Sequence, residues 1–296
     1  MQSGGLKWTG RSYGGKFGNR CFALLLRAGV LPAYALLVFV AAFFMFFRRR
    51  QCAESGAYLA RALGRRVGSV SWAVYRHLFS FGVSILDRYA YFAGKEMEII
   101  DECKDAVMAA REAGRGAVLV VSHIGGWAIA GGRLAEYECP TGVIGVSREH
   151  AYIREMEESR RSRASAEMIA DASEPMSIVA GLSLLRRNGL LAMHGDRYLG
   201  GKFAPAEILG GRVRLPTAAY ILAARSGAPV ISVFCAREGL CKYRMFCSPP
   251  RFVPDARGKE LEIAAELAAR AYAGDVERAL KKYPYQWYNF YPFWEQ

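Results

Sequence analysis

The sequence predicts an α/β fold in which helices flank a mainly parallel central sheet, with a membrane-associated helix near the N-terminus. After residue 52, short apolar runs typical of buried strands alternate with longer segments of helical pattern. Residues 30–47 form an uncharged, strongly apolar stretch. The 296 residues are 52% hydrophobic and 23% charged, which fits a folded chain and excludes a disordered one.

The N-terminal region combines a basic, glycine- and serine-rich segment with the apolar stretch VLPAYALLVFVAAFFMFF, residues 30–47, which ends at Arg48-Arg49-Arg50. As a helix this stretch would rise about 27 Å, close to the hydrocarbon thickness of a bilayer. The flanking cations favour membrane contact over a buried core helix, and both a full span and a shallow position stay open. We expect residues 1–50 to form this membrane-associated part and residues 51–296 an α/β domain.

Charge and cysteine content restrict the partners. Lys and Arg number 40 against 27 Asp and Glu, a formal net charge of +13 that favours anionic partners such as lipid head groups or an acidic carrier protein. A generally solubilising basic surface explains the charge equally well. The sequence has no helix-turn-helix, zinc-finger or RNP motif, so we expect no nucleic acid. The seven cysteines form no CxxC pair or zinc-spaced cluster, so we expect reduced thiols and no metal.

Periodicity and turn residues predict the elements of the α/β part. The apolar runs GAVLVVS, TGVIGVS, LLAMH, PVISVFCA and YRMFCS are typical of strands, and longer segments with an apolar face predict helices. The predicted strands are residues 116–122, 141–147, 190–194, 229–236 and 243–248. The predicted helices are residues 53–63, 69–92, 151–170, 176–188, 216–226 and 258–282, with one more beginning near Trp127. The aromatic residues after 285 predict either core closure or interfacial anchoring.

Two of the four histidines, His123 and His194, lie at the end of a predicted strand. Catalytic groups gather at the carboxyl ends of strands in open α/β sheets, although a structural histidine bonded to a loop is the alternative for each. Beside His123, Gly125 and Gly126 would let a substrate approach the backbone, and the helix from Trp127 would aim its N–H groups at the same place. A neutral imidazole there can accept a proton from a hydroxyl while N–H groups stabilise an oxyanion.

The run SHIGGW, residues 122–127, resembles the HxGNWE form of the H-x4-[D/E] signature of the lysophospholipid acyltransferase superfamily. Further runs resemble, in the same order, predicted acyltransferases related to the late (lauroyl/myristoyl) acyltransferases of lipid A assembly. These runs are RRRQCAESGAYLARAL, VYRHLFSFGVSILDRYAYFAG, RRNGLLAMHGDR, PTAAYILAARSGAPVISVFCARE and YPYQWYNFYPFW. The resemblance extends from about Trp8 to the C-terminus.

The resemblance implies transfer of a fatty acyl group from the thioester of an acyl carrier protein or acyl-CoA to a lipid or glycolipid acceptor. The acceptor group would be a hydroxyl, less readily an amine, and the reaction would occur at the cytoplasmic face of the bacterial inner membrane. His123 would be the general base. Gly195-Asp196-Arg197 matches the family's GDR element, and Arg197 would hold an anionic acceptor or carrier phosphate. Cofactors are not expected, since the acyl donor is a co-substrate.

The site expected from this resemblance has two catalytic residues and a group of substrate-binding residues. The catalytic residues are His123 and Asp196. The substrate-binding residues are Ser122, Gly125, Gly126, Trp127, Arg148 and Arg197.

One position departs from the family signature: the expected Asp or Glu falls on Ala128. A methyl group can neither accept the imidazole N–H nor stabilise an imidazolium. Asp196 is the first candidate to supply the missing carboxylate and Glu136 the second. Alternatively His123 acts without an orienting acid, or the protein is a catalytically impaired lipid-binding or scaffold protein of the same fold, in which case Ala128→Glu would create or raise activity.

Overall fold

A computed structural model describes residues 29–145, 167–171, 175–198 and 200–295. The helices are α1 (Val30–Phe47), α2 (Arg49–Leu63), α3 (Trp72–Phe92), α4 (Lys104–Glu112), α5 (Trp127–Arg133), α6 (Pro175–Arg186), α7 (Ala218–Ser226) and α8 (Gly258–Lys282). The strands are β1 (Glu98–Asp101), β2 (Ala117–Gly125), β3 (Thr141–Gly145), β4 (Glu167–Asp171), β5 (Leu190–His194), β6 (Phe203–Ile208), β7 (Gly211–Pro216), β8 (Val230–Gly239) and β9 (Lys242–Cys247). The predicted site residue Arg148 lies outside the described ranges.

The central sheet has seven strands in the order β1-β9-β8-β2-β5-β3-β4. Its neighbouring strands run parallel, except for the antiparallel pair β8–β9. Strands β6 and β7 form a separate antiparallel hairpin. The predicted fold class, a mainly parallel sheet flanked by helices, is therefore confirmed.

Both faces of the sheet are covered, and strand β2 lies in the middle of it. Val118 and Val120 of β2 pack into the core on the α7 and α8 face, whereas Leu119 packs on the α4 and α5 face. Burial on both faces explains why β2 reads as a continuous apolar run instead of an alternating one. The sheet thereby presents the carboxyl ends of β2 and β5 next to each other.

Three local predictions need correction. The charged pattern predicted a helix over residues 151–170, but residues 167–170 form β4 together with Asp171 and pair in parallel with β3. Residues 151–166 of this prediction lie outside the described ranges. The edge position of β4 in the described sheet tolerates polar residues, so its pattern lacks the apolar run that marks a buried strand. Strand β2 extends to Gly125, so His123 lies within the strand and not just beyond it. Elements β1, α4 and the β6–β7 hairpin were not predicted.

Helix α1 is long and apolar enough to cross a membrane, and 22% of it is buried. Its buried side packs on α3, where Ala33 and Leu37 contact Val83 and Leu86. The two helices can pack closely because Gly82 has no Cβ. A Cβ there would stand only 2.4 Å from a methyl carbon of Leu37. The remaining surface exposes large apolar side chains: Leu31, Leu36, Val38, Phe39, Phe43, Phe46 and Phe47. Helix α1 is thus not a buried core helix within the chain.

Candidate active site

His123 and Asp196 meet at the carboxyl ends of two neighbouring strands. Val121 of β2 is in register with His194 of β5. His123 and Asp196 each come two positions after this pair, so they lie close together at the same edge of the sheet. The Nδ1 atom of His123 lies 2.8 Å from Oδ1 of Asp196. Both side chains are buried, with 3% of His123 and none of Asp196 exposed to solvent. The structure therefore brings together the two residues that the sequence predicted as catalytic.

The second carboxylate oxygen of Asp196 accepts two further hydrogen bonds. The main-chain N–H of His123 donates to Oδ2 at 2.9 Å. The indole N–H of Trp287, whose side chain is fully buried, donates to the same oxygen at 2.9 Å. Three N–H groups thus hold the carboxylate of Asp196 in one orientation, facing the imidazole.

Burial and charge set the protonation states of this pair. Burial opposes ionisation of Asp196, but the charge and hydrogen bond of His123, together with Arg197, hold the pKa of Asp196 well below its usual range. Burial, followed by the positive charge of Arg197, lowers the pKa of His123 below 6.5, against the opposing effect of Asp196. The carboxylate is therefore ionised at neutral pH, and a neutral imidazole that donates from Nδ1 to this carboxylate carries its lone pair on Nε2.

Two aromatic rings flank the His123 imidazole, and both of them line an apolar cavity. The His194 ring stacks on it at a centroid distance of 4.1 Å, and the Trp127 ring lies 5.3 Å away. A cavity of about 100 Å³ begins at His194 and Trp127 and continues between the sheet and helices α4 and α5. Its lining is mainly apolar and includes Leu119, Val121, Val143, Ala192, Val233 and Met245. The imidazole thus lies beside a space suited to a hydrocarbon group.

Comparison with known proteins places this site in a family. The family model of bacterial lipid A biosynthesis acyltransferases matches residues 93–296, a region that includes His123, Asp196 and Trp287. The chain belongs to this family. It is also 28% identical, over 204 residues, to a phosphatidylinositol mannoside acyltransferase from Mycolicibacterium smegmatis. That alignment covers 68% of this chain and 63% of the relative, so the chain spans less than two thirds of the relative's length.

The missing acid of the family signature has a defined replacement in the structure. Ala128 lines the apolar cavity. Glu136, the second candidate, is half exposed and pairs with Arg133 at 2.7 Å. Asp196 therefore occupies the place on Nδ1 of His123 that the signature acid would be expected to take.

The two glycines of this acyltransferase signature contribute close packing. The N–H of Gly125 donates to Gln286 at 2.8 Å, and the N–H of Gly126 donates to Cys235 at 2.7 Å, in each case to the main-chain carbonyl. Gly125 has φ of 56°, and a Cβ there would stand 2.3 Å from the carbonyl oxygen of Cys235. A Cβ at Gly126 would stand 2.6 Å from the Tyr243 ring. The sequence predicts that a substrate approaches the backbone at these glycines, whereas in the structure both N–H groups bond to main-chain carbonyls of the fold.

The other predicted substrate-binding residues differ in their placement. Ser122 lies on the opposite face of β2 from His123, since consecutive strand residues alternate, and its hydroxyl lies beside the Tyr272 phenol. Trp127 adjoins both His123 and the cavity. Arg197 donates to the Tyr288 carbonyl at 3.2 Å and its charge acts on His123. Trp127 and Arg197 thus lie in the site, whereas Ser122 faces away from it.

The segment around Trp287 packs on the face of β2 that lies opposite the cavity. The sequence did not predict this contact. Ile124 forms an antiparallel bridge with Trp287, and the N–H of Tyr288 donates to the His123 carbonyl at 3.3 Å. The Trp287 carbonyl accepts a 2.9 Å hydrogen bond from Nε2 of His77. In the sequence, this segment was marked by its density of aromatic residues. Of the two predicted roles, core closure and interfacial anchoring, the buried Trp287 takes the first.

Among the described residues, one cluster has the composition of a metal site. His123, His194 and Asp196 offer ligand atoms that all lie within 4.8 Å of one another. Both oxygens of Asp196 already accept hydrogen bonds, from Nδ1 of His123 and from two further N–H groups. The expectation that the protein holds no metal stays a prediction.

Proposed function

We propose that this protein transfers a fatty acyl group from the thioester of an acyl carrier protein or acyl-CoA to a hydroxyl of a lipid or glycolipid. The observation that carries the proposal is the buried His123–Asp196 pair beside an apolar cavity. Membership of the lipid A biosynthesis acyltransferase family and the similarity to a mannolipid acyltransferase support the same reaction class. No cofactor enters the proposed mechanism.

In the proposed mechanism His123 acts as general base. Its Nε2 accepts the proton of the acceptor hydroxyl as that oxygen attacks the thioester carbonyl carbon. The new C–O bond forms, the tetrahedral intermediate collapses with cleavage of the C–S bond, and the imidazolium returns its proton to the leaving thiolate. Asp196 holds the Nδ1 proton and stabilises the imidazolium, the role that a carboxylate takes in catalytic triads.

The surroundings of the pair suggest how the two substrates are held. The cavity is smaller than the roughly 300 Å³ or more of most ligand pockets, so we propose that it takes part of the acyl chain, next to the thioester. Trp127, which lines the cavity and adjoins His123, would cover the reacting carbon, and Arg197 would contact an anionic group of the acceptor or of the carrier.

We further propose that the reaction occurs at the cytoplasmic face of the inner membrane. The apolar surface of α1, followed by Arg48-Arg49-Arg50, fits insertion into the hydrocarbon region with cations at the head groups. A lipid acceptor would then reach the site from the bilayer. The alternative, a lipid-binding protein without turnover, was motivated by Ala128, and the carboxylate of Asp196 beside His123 favours turnover instead.

The experiment measures transfer of radiolabel from acyl-CoA, and separately from acyl-loaded carrier protein, into extractable lipid of membranes that contain the protein. We expect His123→Ala to lose this transfer and Asp196→Asn to reduce it about 10³-fold to 10⁴-fold, by analogy with replacement of a triad aspartate. Glu136→Gln is the matched control, because it removes an exposed carboxylate paired with Arg133. Unchanged transfer in His123→Ala would refute the proposed mechanism.

A further inference from the structure

The indole of Trp287 is the third donor to the carboxylate of Asp196. Its Nε1–H lies 2.9 Å from Oδ2, the oxygen that also accepts the main-chain N–H of His123. We propose that Trp287 is a positioning residue of the acyl-transfer site, whose indole N–H fixes the Asp196 carboxylate in the orientation that meets Nδ1 of His123. This inference rests on the proposed role of His123 as general base.

The indole of Trp287 is fully buried and is held by ring contacts and by the bonds of its backbone. Its ring packs edge-on against Tyr58, with centroids 5.5 Å apart, and against Phe293 at 4.6 Å. Its carbonyl accepts a hydrogen bond from His77, and its backbone pairs with Ile124 of β2. A donor fixed by packing and backbone bonds is preorganised, so the indole N–H has no second position to which it can swing.

Asp196 needs such a donor because it lies beyond the end of β5 and is not part of a helix or strand. If the indole N–H were absent, Oδ2 would still accept from the main-chain N–H of His123, its other donor among the described contacts. The carboxylate would then be held by two N–H groups instead of three, both of them from His123, and the alignment of Oδ1 with Nδ1 would lose its one donor from another segment among the described contacts. Hydrogen bonds to charged groups are strong enough that losing one corresponds to about a 10-fold to 100-fold change in rate.

The test replaces Trp287 with 3-benzothienylalanine, in which sulfur takes the place of the indole N–H while the ring shape is kept. We expect kcat to fall about 10-fold to 100-fold with KM unchanged, since Trp287 acts through Asp196 and not on the substrate. Trp294 is the matched control: its indole N–H donates at 2.8 Å to the carbonyl of Ile208. The same replacement at Trp294 should leave kcat unchanged.

A second measurement follows the titration of His123 by ¹⁵N NMR of the detergent-solubilised protein, assigned with His123→Gln. Loss of the indole donor concentrates negative charge on Asp196, which stabilises the imidazolium, so the pKa of His123 should rise with benzothienylalanine at 287 and stay constant with it at 294. The other charged or titratable groups that act on the imidazole, Arg88 of α3, His194 of β5 and Arg197, are the same in all variants.

These two measurements separate the inference from the proposed function. If the wild-type protein transfers no acyl group, the proposed function fails, whereas the His123 titration still reports on Trp287. A rise in the His123 pKa confined to the 287 variant supports the positioning role. An unchanged His123 titration and unchanged kcat in that variant, or equal effects of the replacements at 287 and 294, would overturn it.

Discussion

At the scale of single residues, the carboxylate that bonds to the His123 ring comes from the loop that follows a neighbouring strand. Asp196 lies 73 positions from His123 in the chain and bonds its Nδ1 atom, while Ala128, the position of the signature acid, faces an apolar cavity. The sequence led to Asp196 because a matched GDR element follows a predicted strand. Neither the stacking of His194 nor the indole of Trp287 was predicted, since periodicity shows where a strand ends but not which distant side chain meets it.

Ala128→Glu tests whether His123 lacks an orienting acid. We expect at least a tenfold loss of acyl transfer and no gain, because Asp196 already occupies Nδ1 and a carboxylate at 128 would enter an apolar cavity, which is unfavourable by several kcal/mol if it ionises. Ala128→Gln is the control of similar size without charge, and it should lose less activity. A higher rate in Ala128→Glu than in the wild type would show that Asp196 does not serve His123.

At the scale of elements, burial decided which predictions were correct. Strands β2, β5 and β8 are covered on both faces and appear in the sequence as apolar runs. The described edge strands β1 and β4 are short and have an acidic residue at each end, so their sequences, EIID and EMIAD, do not stand out from helical or loop segments. Helix α3 was predicted by its pattern over residues 69–92. In the structure it begins at Trp72, and the Ser71 hydroxyl caps it by accepting from the Val74 N–H at 3.3 Å.

Helix α3 also carries a buried histidine whose protonation should destabilise the fold. Burial lowers the pKa of His77 to about 4, and the neutral ring accepts from the Ser55 hydroxyl at 2.8 Å and donates to the Trp287 carbonyl at 2.9 Å. The unfolded chain, with a histidine pKa near 6.5, binds the proton more readily below that pH. Stability should therefore be complete above pH 6.5 and fall by about 3 kcal/mol between pH 6.5 and 4 through this residue.

Urea unfolding of the detergent-solubilised protein across this pH range measures the effect. His77→Gln, which keeps hydrogen-bonding capacity and does not titrate, should be less stable than the wild type at pH 7 and should show a shallower loss of stability toward pH 4. Parallel pH profiles for the two proteins would show that His77 does not contribute.

At the scale of the whole molecule, α1 presents one side to the domain and another to the outside. Its inner side is anchored at Asp87 of α3, which accepts from the Tyr34 hydroxyl and, at 2.6 Å, from the Tyr243 hydroxyl of β9. Its outer side is a contiguous row of large apolar residues, typical of a membrane-contacting surface. The apolar stretch was evident in the sequence. Its anchor was not, because Tyr34, Asp87 and Tyr243 are widely separated in the chain.

Replacing Phe39 and Phe43 with serine tests this surface. Both rings are more than half exposed, so the fold should be retained, whereas each phenylalanine buried in lipid contributes roughly 1.5–3 kcal/mol. We expect the double variant to bind vesicles of phosphatidylethanolamine and phosphatidylglycerol at least a hundredfold more weakly in a flotation assay. The matched control replaces Ile263 and Leu267 of α8, which are exposed to a similar degree, and it should bind as the wild type does. Equal loss in both variants would contradict a specific membrane surface on α1.

The contacts of Trp287 have a consequence for the order in which the protein folds. The Trp287 carbonyl lies 210 positions from His77, so this bond closes a longer loop than the pairing of β1 with β9, where Glu98 and Lys242 are 144 positions apart. Contacts that close longer loops cost more entropy and form later. A chain with a formed central sheet but an undocked final segment would have the imidazole and the carboxylate without the donor that aligns them. Competence for chemistry should therefore arise after the sheet has formed, as the last long-range contacts close.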